Sequence, residues 1–519
     1  MEMNKQSLKI RKKCMEEKVQ ITLDDDFNVP DLKPDVEKII SKDGKIEVLE
    51  LNVINGKILC KGNLVFTLLY QCLGDAVPLQ SIQGKLAFDE MLQVPVLMEE
   101  EKVDVNWQIE DLTVQMINSR KISVKALVTC GCKGWKETEL YITVGMGNAQ
   151  KMPSRYKEMQ VLTYEICKKD SLRFHENFRL PTVMPNIERI LFQDVQIADL
   201  EWKEQVGQIT MEGLMDIFVV YKTYEDSHMY VYQAQQKIQG SMPCENCRED
   251  SILQMRTELL AKDVQVKQNE DGEERNLEVE LVIGGNFVLY AEKNISCLVD
   301  AYGLQKKLQL TKEKIVYPKR VLQEKRNIRL EEQVKIDESI PELAVIAHVT
   351  GKVLLDGVET QKGESQVYGS LEVTVLYQDQ QEENKWGQWR ILLPFQQTIT
   401  GNGASKENLD WEISCQLQQI NVAIVGKNTL EVKGNVSMVV LLQEEVSCNL
   451  VSEIEEMQEK EEKWAHLPDL VGYVVQEEDS LWELAKRYHT TEQAIQERNQ
   501  KRNKELVKGE KLLIAVGEE

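Results

Sequence analysis

The chain has 519 residues, 42% of them apolar, and a formal charge of −23. That length suggests roughly three or four domains, and the apolar share suffices for packed cores. The negative excess argues against a general nucleic-acid binder and simple electrostatic docking on an anionic membrane face, because phosphates repel it, and leaves room only for a basic patch, sought first in the C-terminal module.

The opening stretch, Met1 to Leu23, is basic in part but lacks the apolar core of a signal peptide. No apolar run of about 18 residues occurs, so no membrane span is predicted. Eleven cysteines are scattered from Cys14 to Cys448. An odd number in a long chain without a secretion signal fits reduced thiols in a cytosol better than a disulfide framework.

In chain order the sequence repeats itself at a spacing of about 150 to 160 residues. A Pro-bearing turn, Pro30 to Pro34, returns as Pro181 to Pro185 and, weaker, around Pro341. Gly62 is followed eight residues later by Tyr70, Gly213 by Tyr221 and Gly369 by Tyr377. Between them one face reads Leu64, Phe66, Leu68, Tyr70, then Met215, Ile217, Val219, Tyr221, then Leu371, Val373, Val375, Tyr377. Apolar residues at period two predict half-buried strands. Each copy closes on a hairpin, turning at Asn118-Ser119, at Asn269 to Gly272 and at Gly426 to Asn428. One-sided strands must bury that face, so sandwich-like packing is expected. Linkers are expected at 145–169 and 302–329.

No phosphate-cradling loop, HExxH or GxSxG appears. Cys244-Glu245-Asn246-Cys247 has no partner pair for a four-ligand zinc site and reads as surface thiols. Asp24-Asp25-Asp26 reads as a solvated turn, and Trp386 and Trp389 as strand packing. Five histidines are too sparse for a catalytic cluster. No catalytic residue, metal ligand or cofactor is expected.

After a charged run, Glu453 to Lys463, the chain changes character. Tyr473-Val474-Val475 predicts a short strand. Ser480 with Glu483, and Thr490 with Gln493, are capping-box pairs that open two short helices. Leu481, Leu484, Ala485 and Tyr488 make one helical stripe, and Leu512 to Ala515 a closing strand. Tyr473 to Val516 holds eight basic and eight acidic residues, so the negative excess lies upstream. His489, between the helices, reads as a turn residue.

This last stretch resembles the LysM module, a βααβ fold known for binding N-acetylglucosamine-containing glycans. Tyr473, Asp479-Ser480-Leu481-Trp482, Ala485, Tyr488, Asn499, Leu506, Gly509, Leu512 and Ile514 carry the resemblance. Glu478 stands where the family usually has Gly, and Lys508 where it has Pro, both near the loops that grip sugar. The upstream repeats resemble the SPOCS (spore-coat-associated) domain, and the whole order resembles the SipL-like family of spore coat morphogenetic proteins.

The expected fold class is mainly β: three tandem β-sandwich-like repeats (1–150, 165–300 and 328–445), an acidic linker (446–470) and a small βααβ LysM module (471–517). The resemblance implies a non-enzymatic sporulation scaffold in the mother-cell cytoplasm, at the forespore surface, whose LysM module binds the morphogenetic ATPase of the coat basement layer. Other coat proteins are further partners, and a peptidoglycan or spore-cortex glycan is the alternative. Candidate partner-binding residues are Asp479, Ser480, Leu481, Trp482, Asn499, Arg502 and Asn503, with one face of Trp482 expected to be exposed.

Overall fold

The computed structural model describes residues 2–54, 56–72, 79–94, 102–147, 152–225, 228–304, 306–335, 345–361, 364–379, 385–400, 409–425, 429–457, 469–501, 503 and 505–517. Strands β1 (Met3–Asn28), β2 (Val36–Ile54), β3 (Lys57–Cys72), β4 (Leu79–Gln93), β5 (Lys102–Asn118) and β6 (Lys121–Met146) form two antiparallel sheets, β1-β6-β5 and β2-β3-β4. The pattern returns with β7 (Ser154–Arg179), β8 (Arg189–Gln205), β9 (Gln208–Lys222), β10 (Met229–Pro243), β11 (Ile252–Gln268) and β12 (Glu274–Ala301) as β7-β12-β11 and β8-β9-β10. A third unit has β13 (Leu308–Lys335), β14 (Val345–Gln361), β15 (Glu364–Gln378), β16 (Trp386–Ile399), β17 (Leu409–Ile424) and β18 (Thr429–Glu456), ordered β13-β18-β17 and β14-β15-β16. In each unit the first strand pairs with the last along its whole length.

Period-two alternation places the repeated face between the two sheets of its unit. Leu64, Phe66, Leu68 and Tyr70 of β3 pack against Ile122, Val124, Ala126 and Val128 of β6 in one core. Met215, Ile217, Val219 and Tyr221 do the same against Leu277, Val279, Leu281 and Ile283. Leu371, Val373 and Val375 meet Leu430 and Val432 in the third unit. Tyr377 alone of the twelve is half-buried.

The Gly and Tyr markers have physical causes. The strand beside each glycine slips register there, between Val48 and Glu50, Ala198 and Glu201, and Leu355 and Gly357. A bulge presses backbone toward its neighbour: a Cβ on Gly62 would lie 2.5 Å from Glu47 O, and one on Gly369 2.6 Å from Leu354 O. The tyrosine hydroxyl reaches the Pro-bearing turn, Tyr70 to Pro34 O at 3.1 Å and Tyr221 to Pro185 O at 3.2 Å. The turn at 426–428, and the third Pro-bearing turn through residue 344, lie outside the described residues.

Segments 145–169 and 302–329, linkers by sequence, hold the whole opening half of β7 and most of β13. These strands serve two cores in succession, which blurs a one-sided pattern. Their first halves join a core built by all three units: Leu8, Met159 and Ile315 from the first strands, Ile142, Ile295 and Cys448 from the last. A second shared core joins Ile40 and Leu69, Leu191 and Val220, and Leu376 and Trp386. Polar ties cross the same junctions: Tyr290 donates to Glu412 at 2.5 Å, Lys13 pairs with Asp410 at 2.5 Å, and His348 with Asp194 at 2.9 Å. Asp24, Asp25 and Asp26 lie in β1 rather than a turn, with Lys121 2.7 Å from Asp26. Of the expected acidic linker, Val446–Glu456 completes β18, and 458–468 lie outside the described residues.

The C-terminal module is β19 (Leu470–Val474), α1 (Leu481–Arg487), α2 (Glu492–Arg498) and β20 (Lys511–Ala515), with β19 antiparallel to β20. No helix of the described residues is long and apolar enough to cross a membrane.

Candidate functional site

Local chemistry sets the two helices. Ser480 Oγ accepts from Glu483 N at 3.2 Å and caps α1. Thr491 Oγ1, not Thr490, accepts from Ala494 N at 3.0 Å and caps α2; Thr490 is buried under the turn between them. His489 takes φ of 52° at that turn, a left-handed backbone that lets α1 stop and α2 start. The stripe Leu481, Leu484 and Ala485 packs with Val475, Ile495, Leu512 and Ile514.

Two residues in this core come from far upstream, Tyr302 and Leu304, just past β12. They dock the module on the second unit. Trp482 is only 7% exposed, so the expectation of an open indole face does not hold. Its Nε1 donates to Asp300 Oδ2 at 2.8 Å, and its ring meets Tyr302 edge-on at a centroid distance of 5.0 Å. Lys486 Nζ donates to both Asp300 oxygens at 2.8 and 2.9 Å, and Lys312 stands 3.4 Å away. Burial pushes the Asp300 carboxyl up, yet the donors Lys486 and Trp482 with the charge of Lys312 outweigh it and hold the pKa below its ordinary value. Tyr302 Oη donates to Thr490 O at 2.8 Å, and His489 Nδ1 lies 3.1 Å from Gly303 O. A helix face and the interhelical turn are thus both covered.

The remaining candidates are mostly spent inside the module. Asp479 accepts from Gln476 N and from Tyr473 Oη, each at 2.7 Å; the Gln476 N–H, above all, lowers its pKa. Leu481 is core. Asn499 Nδ2 donates to Ile495 O at 2.8 Å and to Leu513 O at 2.7 Å, while its Oδ1 accepts from Leu513 N at 2.8 Å. That side chain pins the end of α2 to β20. Asn503 is exposed, and Arg502 lies outside the described residues.

What faces solvent is a pair of loops, Gln476–Glu478 and Asn503 with 505–509. The two departures from the family pattern lie on them. Lys508 pairs with Glu477 at 2.6 Å, joining one loop to the other, and Val507 beside it is exposed. Asp300, Tyr302 and Leu304 are not among the candidates the sequence offers. Their only signal is an aromatic and apolar run, Ala301-Tyr302-Gly303-Leu304, continuing past the alternating strand.

Elsewhere, Cys244 and Cys247 are buried, not surface thiols, in a loop where Cys247 N donates to Cys244 O at 2.9 Å. Trp386 is buried in the second shared core. Among the described residues no group of three or more His, Cys, Asp or Glu is placed to hold a metal ion.

Compared with known families, residues 35–117 match the SipL, SPOCS domain, and residues 473–515 match the LysM domain. The first match runs from the start of β2 to the end of β5; the second spans the module from β19 to β20. Neither the curated proteins nor the solved structures compared with the chain match it.

Proposed function

From the premise that this is a SipL-like chain, with a SipL SPOCS domain and a C-terminal LysM domain, we propose a non-enzymatic adaptor of sporulation that anchors the spore coat at the forespore surface from the mother-cell side. Its LysM module grips a protein, the morphogenetic ATPase of the coat basement layer, through the solvent-facing loops. On this reading Glu477, Glu478, Asn503 and Val507 make the contact, Asp479, Ser480, Leu481 and Asn499 shape it, and Trp482 positions the module.

One observation carries the choice of a protein over a sugar. The loops that would close on a glycan are bridged by Lys508 and Glu477, leaving a surface of mixed charge around an exposed valine. Such a rim with a small apolar centre is the composition of a protein contact. An exposed ion pair is weak, about 0 to 1 kcal/mol, so it does not seal the loops against a tighter ligand, and the solvent-facing loops keep a peptidoglycan or cortex glycan as the second reading.

The test is direct binding of the full chain to the purified basement-layer ATPase and, separately, to purified sacculi. The adaptor reading expects retention by the ATPase, lost on Val507→Asp and Glu477→Lys. Retention by sacculi with no ATPase binding reverses the ranking.

A further inference from the structure

The connection from β10 to β11 carries the chain from one sheet of the second unit to the other, and it holds two cysteines, Cys244 and Cys247. The corresponding connections of the other units, 94–101 and 400–408, contain none. Cys247 N donates to Cys244 O at 2.9 Å, which closes a β-turn over Glu245 and Asn246. Those two residues are exposed, while the cysteines are buried, 3% and 1% exposed, among Ile209, Met242 and Phe287. Gly207, at the tip of the β8–β9 hairpin, fastens the turn at both ends. Cys244 N donates to Gly207 O at 2.9 Å, and Gly207 N donates to Cys247 O at 3.1 Å. Both cysteines are free thiols.

A disulfide holds its Cα atoms about 4.4 to 6.8 Å apart and its Cβ atoms about 3.8 Å apart. A hydrogen-bonded β-turn brings its first and fourth Cα atoms within about 7 Å, so this pair can close by local adjustment of the turn. A second close pair lacks that freedom. Cys130 and Cys132 lie with their sulfurs 3.5 Å apart, buried on one face of β6. Two residues of strand separate their Cβ atoms by about 6.6 Å. There β6 is paired on both sides, with Val19 and Glu17 of β1 and with Trp107 and Val105 of β5. Bridging them would pull a central strand out of its ladder. The two thiols of the turn also differ from each other. Burial raises the pKa of both; the N–H groups of Cys247 and Asn246 then favour the thiolate at Cys244, and a charged Cys244 disfavours it at Cys247. Cys244 is thus the attacking sulfur and Cys247 the one that follows.

We propose that Cys244 and Cys247 form a redox modification site, oxidised to an intramolecular disulfide by a low-molecular-weight disulfide of the glutathione class, and that the bond staples the sheet-to-sheet connection of the second unit. Release of the two hydrogen bonds to Gly207 lifts the turn from the hairpin tip and presents the sulfurs to solvent. The Cys244 thiolate attacks one sulfur of the oxidant, forming a mixed disulfide and expelling one thiolate. Cys247 gives up its proton to water and attacks Cys244 Sγ, expelling the second thiolate. The protein loses two protons and two electrons, and the oxidant becomes two thiols.

The test uses the full chain, reduced, freed of reductant and held in oxidised glutathione at mildly alkaline pH, then alkylated and digested for mass spectrometry. The expected product is a peptide bridged between Cys244 and Cys247, lighter by two hydrogens. Cys247→Ser should stop at the mixed disulfide on Cys244, and Cys244→Ser should leave Cys247 reduced. The bridged protein should unfold at a higher urea concentration than the reduced one, because the cross-link restricts the unfolded chain, and dithiothreitol should reverse the shift. Cys244 and Cys247 both left reduced, a bridge at Cys130 and Cys132 in their place, or a bridge that forms only in urea overturns the proposal. An unmoved urea midpoint after complete bridging overturns the staple.

Discussion

Asp300 is one carboxylate holding two distant parts of the chain together. A buried charge is tolerated only when its hydrogen-bonding capacity is filled, and here an indole and a lysine from α1 fill it. Trp482→Phe keeps an aromatic ring near Tyr302 but removes the indole donor and part of the side-chain volume. It should cost about 1 to 3 kcal/mol of stability, read by urea denaturation of the full chain, whereas His489→Ala should cost less. Because the folded pKa of Asp300 is lowered, its contribution is full above the unfolded value and lost as pH falls through the folded one. Glu412 behaves in the opposite sense. Burial first, and then Asp410, push its pKa up to about 7 against the hydrogen bond from Tyr290 and the charges of Arg11 and Lys133. A raised pKa means stability that is full below the unfolded value of 4.5 and declines as pH rises toward 7. Glu412→Gln should therefore remove that decline and gain on the order of 2 to 3 kcal/mol relative to the parent at pH 8. Denaturation midpoints of both proteins across that pH range check it, and parallel curves would show that Glu412 is not the group responsible.

At the scale of single elements, the repeated glycine is a matter of clearance rather than of turning at 62 and 369, whereas a Cβ on Gly213 would meet nothing closer than 3.3 Å. Gly369 lies where β14 bulges toward β15, and a Cβ would also meet the Phe395 ring at 2.5 Å. Gly369→Ala should cost roughly 1 to 3 kcal/mol through overpacking. Gly357, on the bulged strand itself, has nothing within 4 Å of its would-be Cβ, so Gly357→Ala should leave the melting temperature nearly unchanged. A similar loss at both positions would mean that strand propensity, not clearance, sets the requirement. The short helices were legible because capping leaves a local signature; the shift of the second cap from Thr490 to Thr491 is one residue of turn geometry that two adjacent threonines do not distinguish.

For the whole molecule, the units are coupled through cores none of them owns. Ile10 of the first unit packs with Val161 of the second and Tyr317 of the third. Ile10→Asp should accordingly lower amide-exchange protection in β12 and β18 as well as in β6. Loss confined to the first unit would mean that the repeats unfold independently. Phe218 and Val220 carry the same lesson. They lie on the face of β9 opposite its own core and are nonetheless buried, because a neighbouring unit covers them.

The sequence alone determined what depends on near neighbours. Alternation gave the strands, the Gly and Tyr spacing gave the repeat, and the caps and apolar stripe gave the terminal module. These signals survive in one dimension because they are spacings within one strand, one hairpin or one helical turn, even where the contacts that favour them lie across a core. Only the tertiary structure decided that the opening strand of each unit pairs with its last, that three units share cores, and that Trp482 is closed against Asp300. Those contacts join residues far apart in the chain, where no periodicity links the two partners, and each is settled by which surfaces remain unburied once the local elements have formed.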